Sequence, residues 1–159
     1  MSNIKLVVSE IDGVITNGER AEDEMGHVLY KTYQSKDFSA INEIKKNFKF
    51  AFLSDDNGIS YNMCRRKNIP FYWAKNAQDK YDKLIEILKR YQCVPDEVVY
   101  VASKVSDEKC IQLIPKSICP DDAGEYLKQK CWASFIASGG KGILGELLYL
   151  LKNSDLGCE

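Results

Sequence analysis

The sequence is short of the residues that build metal cages and of any run of one charge. It has a single histidine, His27, and its six cysteines (Cys64, Cys93, Cys110, Cys119, Cys131, Cys158) contain no CxxC pair. With the lone histidine far from all of them in sequence, no zinc cage can be assembled from local spacing. Thiols scattered in this way are expected to be small buried hydrophobes rather than ligands or disulfides, with Cys158, near the chain end, the most open to oxidation. The formal net charge of -1 and the lack of a long basic run argue against nucleic acid or an anionic membrane as the main partner, because either would need a clustered positive field. No basic-then-apolar leader opens the chain, and no apolar run approaches the ~20 residues of a membrane span. A cytoplasmic protein is expected, or a nuclear one by association. Proline is also scarce, with four residues in 159, while 45% of the chain is hydrophobic. That balance fits a globular domain over 1–152 with 153–159 as a flexible tail.

What is present is a regular alternation of two hydrophobic periods. The runs "IKLVVS" (4–9), "FKFAFLS" (48–54), "PFYWA" (70–74), "EVVYVAS" (97–103), "KSIC" (116–119) and "CWASFI" (131–136) read as strands. Between them, "DKYDKLIEILKRY" (79–91) sets Tyr81, Leu84, Ile85, Leu88 and Tyr91 on one helical face, and weaker patterns occupy 37–47, 57–66, 107–114 and 123–129, with 140–152 last. The fold class is therefore α/β, a three-layer α/β/α arrangement with a parallel central sheet and right-handed crossovers. In such folds ligands gather beyond the carboxyl ends of the strands. One segment, 18–35, has no helical period. It carries a turn signal at Met25-Gly26 and then alternates Val28, Tyr30 and Thr32 against Leu29, Lys31 and Tyr33, the pattern of an inserted antiparallel hairpin.

The residues that follow the strands bear the chemistry. Glu10, Asp12 and Gly13 follow the first run, Ser54, Asp55 and Asp56 the second, and Ser103, Lys104 and Asp107 the fourth, while Lys80 lies at the start of the helix after the third. Singly, an Asp or Ser after a strand is most often a helix cap. In this order they resemble the haloacid dehalogenase superfamily, and within it the branch of sugar-acid phosphatases that lacks a large cap domain and acts on 3-deoxy-octulosonate 8-phosphate or N-acylneuraminate 9-phosphate. The motifs that carry the resemblance are "IKLVVSEIDGVITNG", "FLSDDNG", "NAQDK", "VVYVASKVSDEKC" and "ASGGKGILGE". The hairpin at 18–35 belongs to the same branch. A phospho-receiver signalling domain also places acids after its first strand, but the hairpin and the Gly-Gly-Lys-Gly loop argue against it.

The resemblance implies a carboxylate nucleophile at position 10, Asp12 as general acid and base, Ser54 and Lys80 holding the phosphoryl group, Asp107 as a supporting acid, and Mg²⁺ offsetting the repulsion between anions. Several positions depart from the pattern. Glu10 stands where the family has Asp, and one extra methylene moves a carboxylate by on the order of 1 Å, which can cost ~100-fold where positioning is the catalysis. Ser103 replaces a metal-binding Asp, so the metal set Glu10, Asp12 and Ser103 is read as vestigial, with Mg²⁺ implied for active relatives and none expected here. Lys104 replaces an acid, and Gly145 stands where the last motif has Arg. Lys104 is expected to swing its ammonium toward the vacated metal position, with Lys80 approaching from the other side; the alternative is that it points into solvent beside a helix start.

"VSEIDGVITNG" and "KVSDEKC" are also similar to the C-terminal domain of animal N-acylneuraminate cytidylyltransferases, in which a degenerate domain of this branch is associated with tetramer assembly in sialic acid metabolism. The resulting expectation is a degenerate domain acting as an oligomerisation or regulatory module, a homotetramer joined through 18–35, with a cytidylyltransferase domain or subunit as a further partner. An active Mg²⁺-dependent phosphatase on a 2-keto-3-deoxy sugar-acid phosphate is the alternative.

Overall fold

The alternation of strand and helix resolves into a six-stranded sheet in which every pairing is parallel. The computed structural model describes residues 3–153. Along the chain run β1 (Leu6–Ser9), the hairpin strands β2 (Ala21–Glu22) and β3 (Val28–Tyr30), and α1 (Ser35–Ile44). Next come β4 (Lys49–Ser54), α2 (Ile59–Lys67), β5 (Phe71–Trp73), α3 (Ala77–Tyr91) and β6 (Val98–Val101). The chain continues through α4 (Glu108–Leu113), β7 (Lys116–Cys119), α5 (Glu125–Lys128), β8 (Ala133–Ser134) and α6 (Ile143–Lys152). The sheet order is β5-β4-β1-β6-β7-β8, which puts β1 between β4 and β6. All four residues of β1 are buried, as expected of a central strand covered on both faces.

Successive strand residues feed opposite layers. Val7, Phe50, Phe52, Val99 and Val101 pack with Ile41 of α1, Met63 of α2 and Leu144 and Leu147 of α6. Leu6, Val8, Leu53, Val98 and Tyr100 pack with Leu84 and Ile87 of α3, Ile111 of α4 and Leu127 of α5. This two-residue alternation is why a sheet with short strands can carry two cores. The elements are shorter than the hydrophobic runs suggest, most of all at the edge: 131–136 contributes only Ala133 and Ser134 to β8, and 123–129 yields the single turn of α5. On α3 the buried set is Lys80, Leu84, Ile87 and Leu88, so the buried face includes a lysine that apolar periodicity does not select. The hairpin forms where expected. Gly26, at φ 84°, closes its turn, and the Asp23 carboxylate accepts from the amides of Met25 and His27. Its outer residues Met25, Leu29 and Tyr30 are exposed, whereas Tyr33 packs on its own domain, edge-on to Phe38 and within 3.1 Å of the Ser60 hydroxyl.

Among the described residues no helix is long and apolar enough to cross a membrane. Cys64, Cys93, Cys110, Cys119 and Cys131 are free thiols. Of the expected tail, Asn153 closes α6 by donating its amide to the Tyr149 carbonyl; 154–159, with Cys158, lie outside the described residues.

Candidate active site

The site is built from the loops beyond the carboxyl ends of β1, β4 and β6, with α3 beneath them. Leaving β1, the chain turns at Gly13, whose φ of 87° a side chain would strain. The buried Thr16 hydroxyl ties this loop together: it accepts from the amides of Gly13 and Gly18 and donates to Asp12 Oδ1 at 3.2 Å. The last loop lies on top. A Cβ on Gly139 would fall 2.1 Å from the Gly13 carbonyl oxygen, so only glycine permits that approach.

Glu10, Lys80 and Asp107 are brought together as expected, but they sit below the cleft rather than in it. Glu10 and Asp107 are fully buried and Lys80 is 1% exposed. The Lys80 ammonium donates to Glu10 Oε2 at 2.5 Å, Asp107 Oδ1 at 3.0 Å and Ser106 Oγ at 3.2 Å. Glu10 Oε1 accepts from the Ile11 amide. Asp107 is bonded on both oxygens: Tyr100 Oη donates to Oδ1, and the amides of Ser103 and Lys104 donate to Oδ2. Two carboxylates thus share one ammonium. Burial first, and then the nearby Asp107 charge, push the Glu10 carboxyl up to about 7 against the pull of Lys80 and Lys104. Burial alone would lower Lys80, but Asp107 and Glu10 outweigh it and hold the ammonium above its ordinary value.

Of the other expected residues, Asp12, Ser103 and Lys104 line the opening and Ser54 does not. A cleft of about 380 Å³ is lined by Asp12, Asn17, Arg20, Ser103, Lys104 and Asp122 among others, and not by Glu10 or Lys80. Ser103 Oγ donates to the Asp12 carbonyl oxygen at 2.7 Å. Ser54 is buried, with its hydroxyl accepting from the Asp56 amide. Lys104 stands beside a helix start, as in the alternative, but its ammonium is paired at the surface. Its ammonium pairs with Asp55, 3.2 Å from Oδ1, because that carboxylate stands within reach at the end of the neighbouring crossover, so it contacts neither Glu10 nor Asp12.

Lys31, on the hairpin, escaped the sequence reading. Its side chain is 3% exposed, and its ammonium lies 2.6 Å from Asp12 Oδ2 and 2.7 Å from Asp56 Oδ2. Burial would lower it, and the two acids outweigh burial and raise it. Asp56 also accepts from the amides of Gly58 and Ser60 at the start of α2. Against the effect of burial, Lys31 and those amides bring its carboxyl down to about 2. The available signal was the hairpin alternation, which sets Lys31 on the same face as the inward Tyr33.

These contacts decide how well the residues fit the Mg²⁺ that the resemblance implies. They do not fit it. Lys80 occupies one Glu10 oxygen and the Ile11 amide the other; Ser103 donates a proton to the Asp12 carbonyl instead of offering a charged oxygen; and Asp12 Oδ2 is held by Lys31. Among the described residues no three acidic, histidine or cysteine side chains converge.

No protein-family model matches the chain. A hydrolase of the haloacid dehalogenase family from Streptomyces avermitilis superposes with a TM-score of 0.85 at 21% identity, covering 97% of this chain and 88% of that one. The chain has the haloacid dehalogenase fold. Within that fold, the cobalt-bound 3-deoxy-D-manno-octulosonate 8-phosphate phosphatase of Haemophilus influenzae gives a TM-score of 0.87 at 22% identity, covering 96% of this chain and 89% of its own. In sequence, the 3-deoxy-D-manno-octulosonate 8-phosphate phosphatase of Yersinia pestis is 23% identical over 160 residues, covering 94% of this chain and 80% of that protein. At these identities the likenesses show the fold. None of them bears on a cytidylyltransferase.

Proposed function

We propose that this protein is a sugar-acid-phosphatase-fold domain whose own lysines have taken over the charges that a catalytic metal would otherwise balance, leaving an assembly or regulatory module with little hydrolytic capacity. The observation that carries this reading is the environment of Glu10: its carboxylate is fully buried, bonded to Lys80, and does not line the cleft that Asp12 and Ser103 border. A nucleophile must reach the reacting atom within ~3–3.5 Å, and a carboxylate held on an internal ammonium is not in that geometry. The exposed Met25, Leu29 and Tyr30 of the hairpin support assembly through 18–35 into a homotetramer. The likeness of the first and fourth motifs to the cytidylyltransferase domain supports a connection with sialic acid metabolism.

The comparisons favour a second reading. Relatives named as 3-deoxy-D-manno-octulosonate 8-phosphate phosphatases include a Moraxella catarrhalis enzyme in complex with magnesium, phosphate and the sugar acid. Those names support an active Mg²⁺-dependent phosphatase on a 2-keto-3-deoxy sugar-acid phosphate, and Asp12, Ser54 and Lys80 are the residue types it would use. Release of phosphate from 3-deoxy-octulosonate 8-phosphate and N-acylneuraminate 9-phosphate, with and without Mg²⁺, separates the two. Wild-type turnover at an ordinary ~10 per second that requires the metal would overturn the first reading. Turnover that appears only after Glu10→Asp, Ser103→Asp and Lys104→Asp are combined would support it.

A further inference from the structure

At the opposite end of the sheet from the cleft, a groove of about 680 Å³ has no part in either reading of the site. It opens at the N-terminal end of β4, about 16 Å along the strand from Ser54 at a rise of ~3.3 Å per residue. Phe50, Cys64 and Ile69 form its buried floor. Its walls carry Lys45, Lys49, Arg65, Tyr61 and Phe71, and among the described residues no acidic side chain lines it.

Part of this charge has a structural use. α2 ends here, and Arg65, Arg66 and Lys67 in its last turn oppose the negative end of the helix. Lys45 donates to the Asn68 carbonyl at 3.0 Å. These uses leave Lys49, which makes no ion pair among the described residues, and they leave the rings. Tyr61, 38% exposed, stands edge-on to Phe71 at 5.6 Å between centroids, and the Arg65 guanidinium lies 5.9 Å from the Tyr61 ring. Aromatic faces rimmed by cations fit a ligand that is flat at one end and anionic at the other. A bare anion would leave the rings unused. A long polynucleotide would need the positive field to continue across a surface whose net charge is -1.

We propose that this groove binds a 5′-mononucleotide, with the base against Tyr61 and Phe71 and the phosphate between Lys49 and Arg65. The site is independent of the cleft and stands whether or not the cleft hydrolyses anything. Titrating the full chain with AMP and following its backbone amides by NMR tests this. The expected result is saturable shifts centred on Tyr61, Arg65 and Phe71, with adenosine and inorganic phosphate each binding about tenfold or more weaker than AMP. Arg65→Ala and Tyr61→Ala, both at exposed positions of α2, should each weaken AMP binding by about tenfold while the amide spectrum stays that of the folded protein away from α2. The proposal is overturned if phosphate binds as tightly as AMP, if an oligonucleotide binds tighter than AMP, if the shifts centre on Asp12 and Ser54, or if AMP does not saturate below about 10 mM.

Discussion

Replacing Lys80 with methionine isolates the charge arrangement beneath the cleft. Methionine keeps most of the length of the lysine stem, so packing beside Leu84 on α3 changes little while the ammonium is lost. Three contacts go with it: Glu10 Oε2 at 2.5 Å, Asp107 Oδ1 at 3.0 Å and Ser106 Oγ at 3.2 Å. Removing one partner from a buried ion pair costs about 3–5 kcal/mol, since the remaining charge is left uncompensated. Two carboxylates remain here, and they differ. Asp107 keeps the Tyr100 hydroxyl and the amides of Ser103 and Lys104, whereas Glu10 keeps only the Ile11 amide. Folded Glu10 binds its proton more tightly than the unfolded chain does, so its stabilising contribution is complete below its ordinary 4.5 and is lost as pH rises through about 7. Lys80, held above its ordinary value, stays charged across that window and adds no pH dependence of its own. In the variant, Glu10 is neutral at pH 5 and only Asp107 is exposed to the loss; at pH 8 the demand falls on both acids. The expected cost is about 4 kcal/mol at pH 8 and about half of that at pH 5. With a urea slope of about 2 kcal/mol/M, the unfolding midpoint should drop by about 2 M and about 1 M respectively. An equal drop at the two pH values, or one under about 0.5 M at pH 8, would refute the shared-ammonium account.

Three further outcomes follow from the same geometry. Lys31→Met removes the cation between Asp12 and Asp56; because the Asp56 carboxyl sits below its usual value, wild-type stability is present above about 4 and lost as pH falls toward 2, and acid unfolding monitored by circular dichroism should show a smaller limb in the variant, which keeps the Gly58 and Ser60 amides. Gly139→Ala drives a methyl into the Gly13 carbonyl and should cost about 3 kcal/mol, seen as a melting temperature lower by roughly 10 °C, whereas an unchanged melting curve would contradict the close approach. Leu29→Asp with Tyr30→Asp should convert a tetramer to smaller species in sedimentation velocity without unfolding it, and a wild type that is monomeric at micromolar concentration would sink the assembly proposal.

The fold was legible because the two hydrophobic periods are undisturbed over most of the chain: β1 is an uninterrupted apolar run, and α3 holds its stripe from Leu84 to Leu88. Residue types at strand ends were also legible, since parallel strands bring Glu10, Ser54 and Ser103 to one edge whatever the detailed packing. The partners of flexible side chains were not. Lys104 is drawn to Asp55, a residue 49 positions away on another crossover, and nothing in the local pattern sets that choice. Lys31 reaches Asp12 across 19 positions only because the hairpin folds back on the cleft, and its register shifts at Ala21 and Glu22, an irregularity that alternation does not encode. Tyr33, grouped by alternation with the residues available to a partner, turns inward for the same reason, so a Tyr33→Asp change would disturb the domain itself.

The Lys31 contacts make the hairpin a mechanical strut as well as a surface. It carries Met25, Leu29 and Tyr30 into solvent, and the next residue, Lys31, is pinned between the carboxylates of Asp12 and Asp56. In the proposed assembly, a neighbour bound at the tip would load Asp12 and Asp56 through Lys31. Withdrawing Lys31 would leave those two acids with their shared counter-charge gone, so in the proposed assembly grip at the periphery and electrical balance at the centre would form one linked equilibrium.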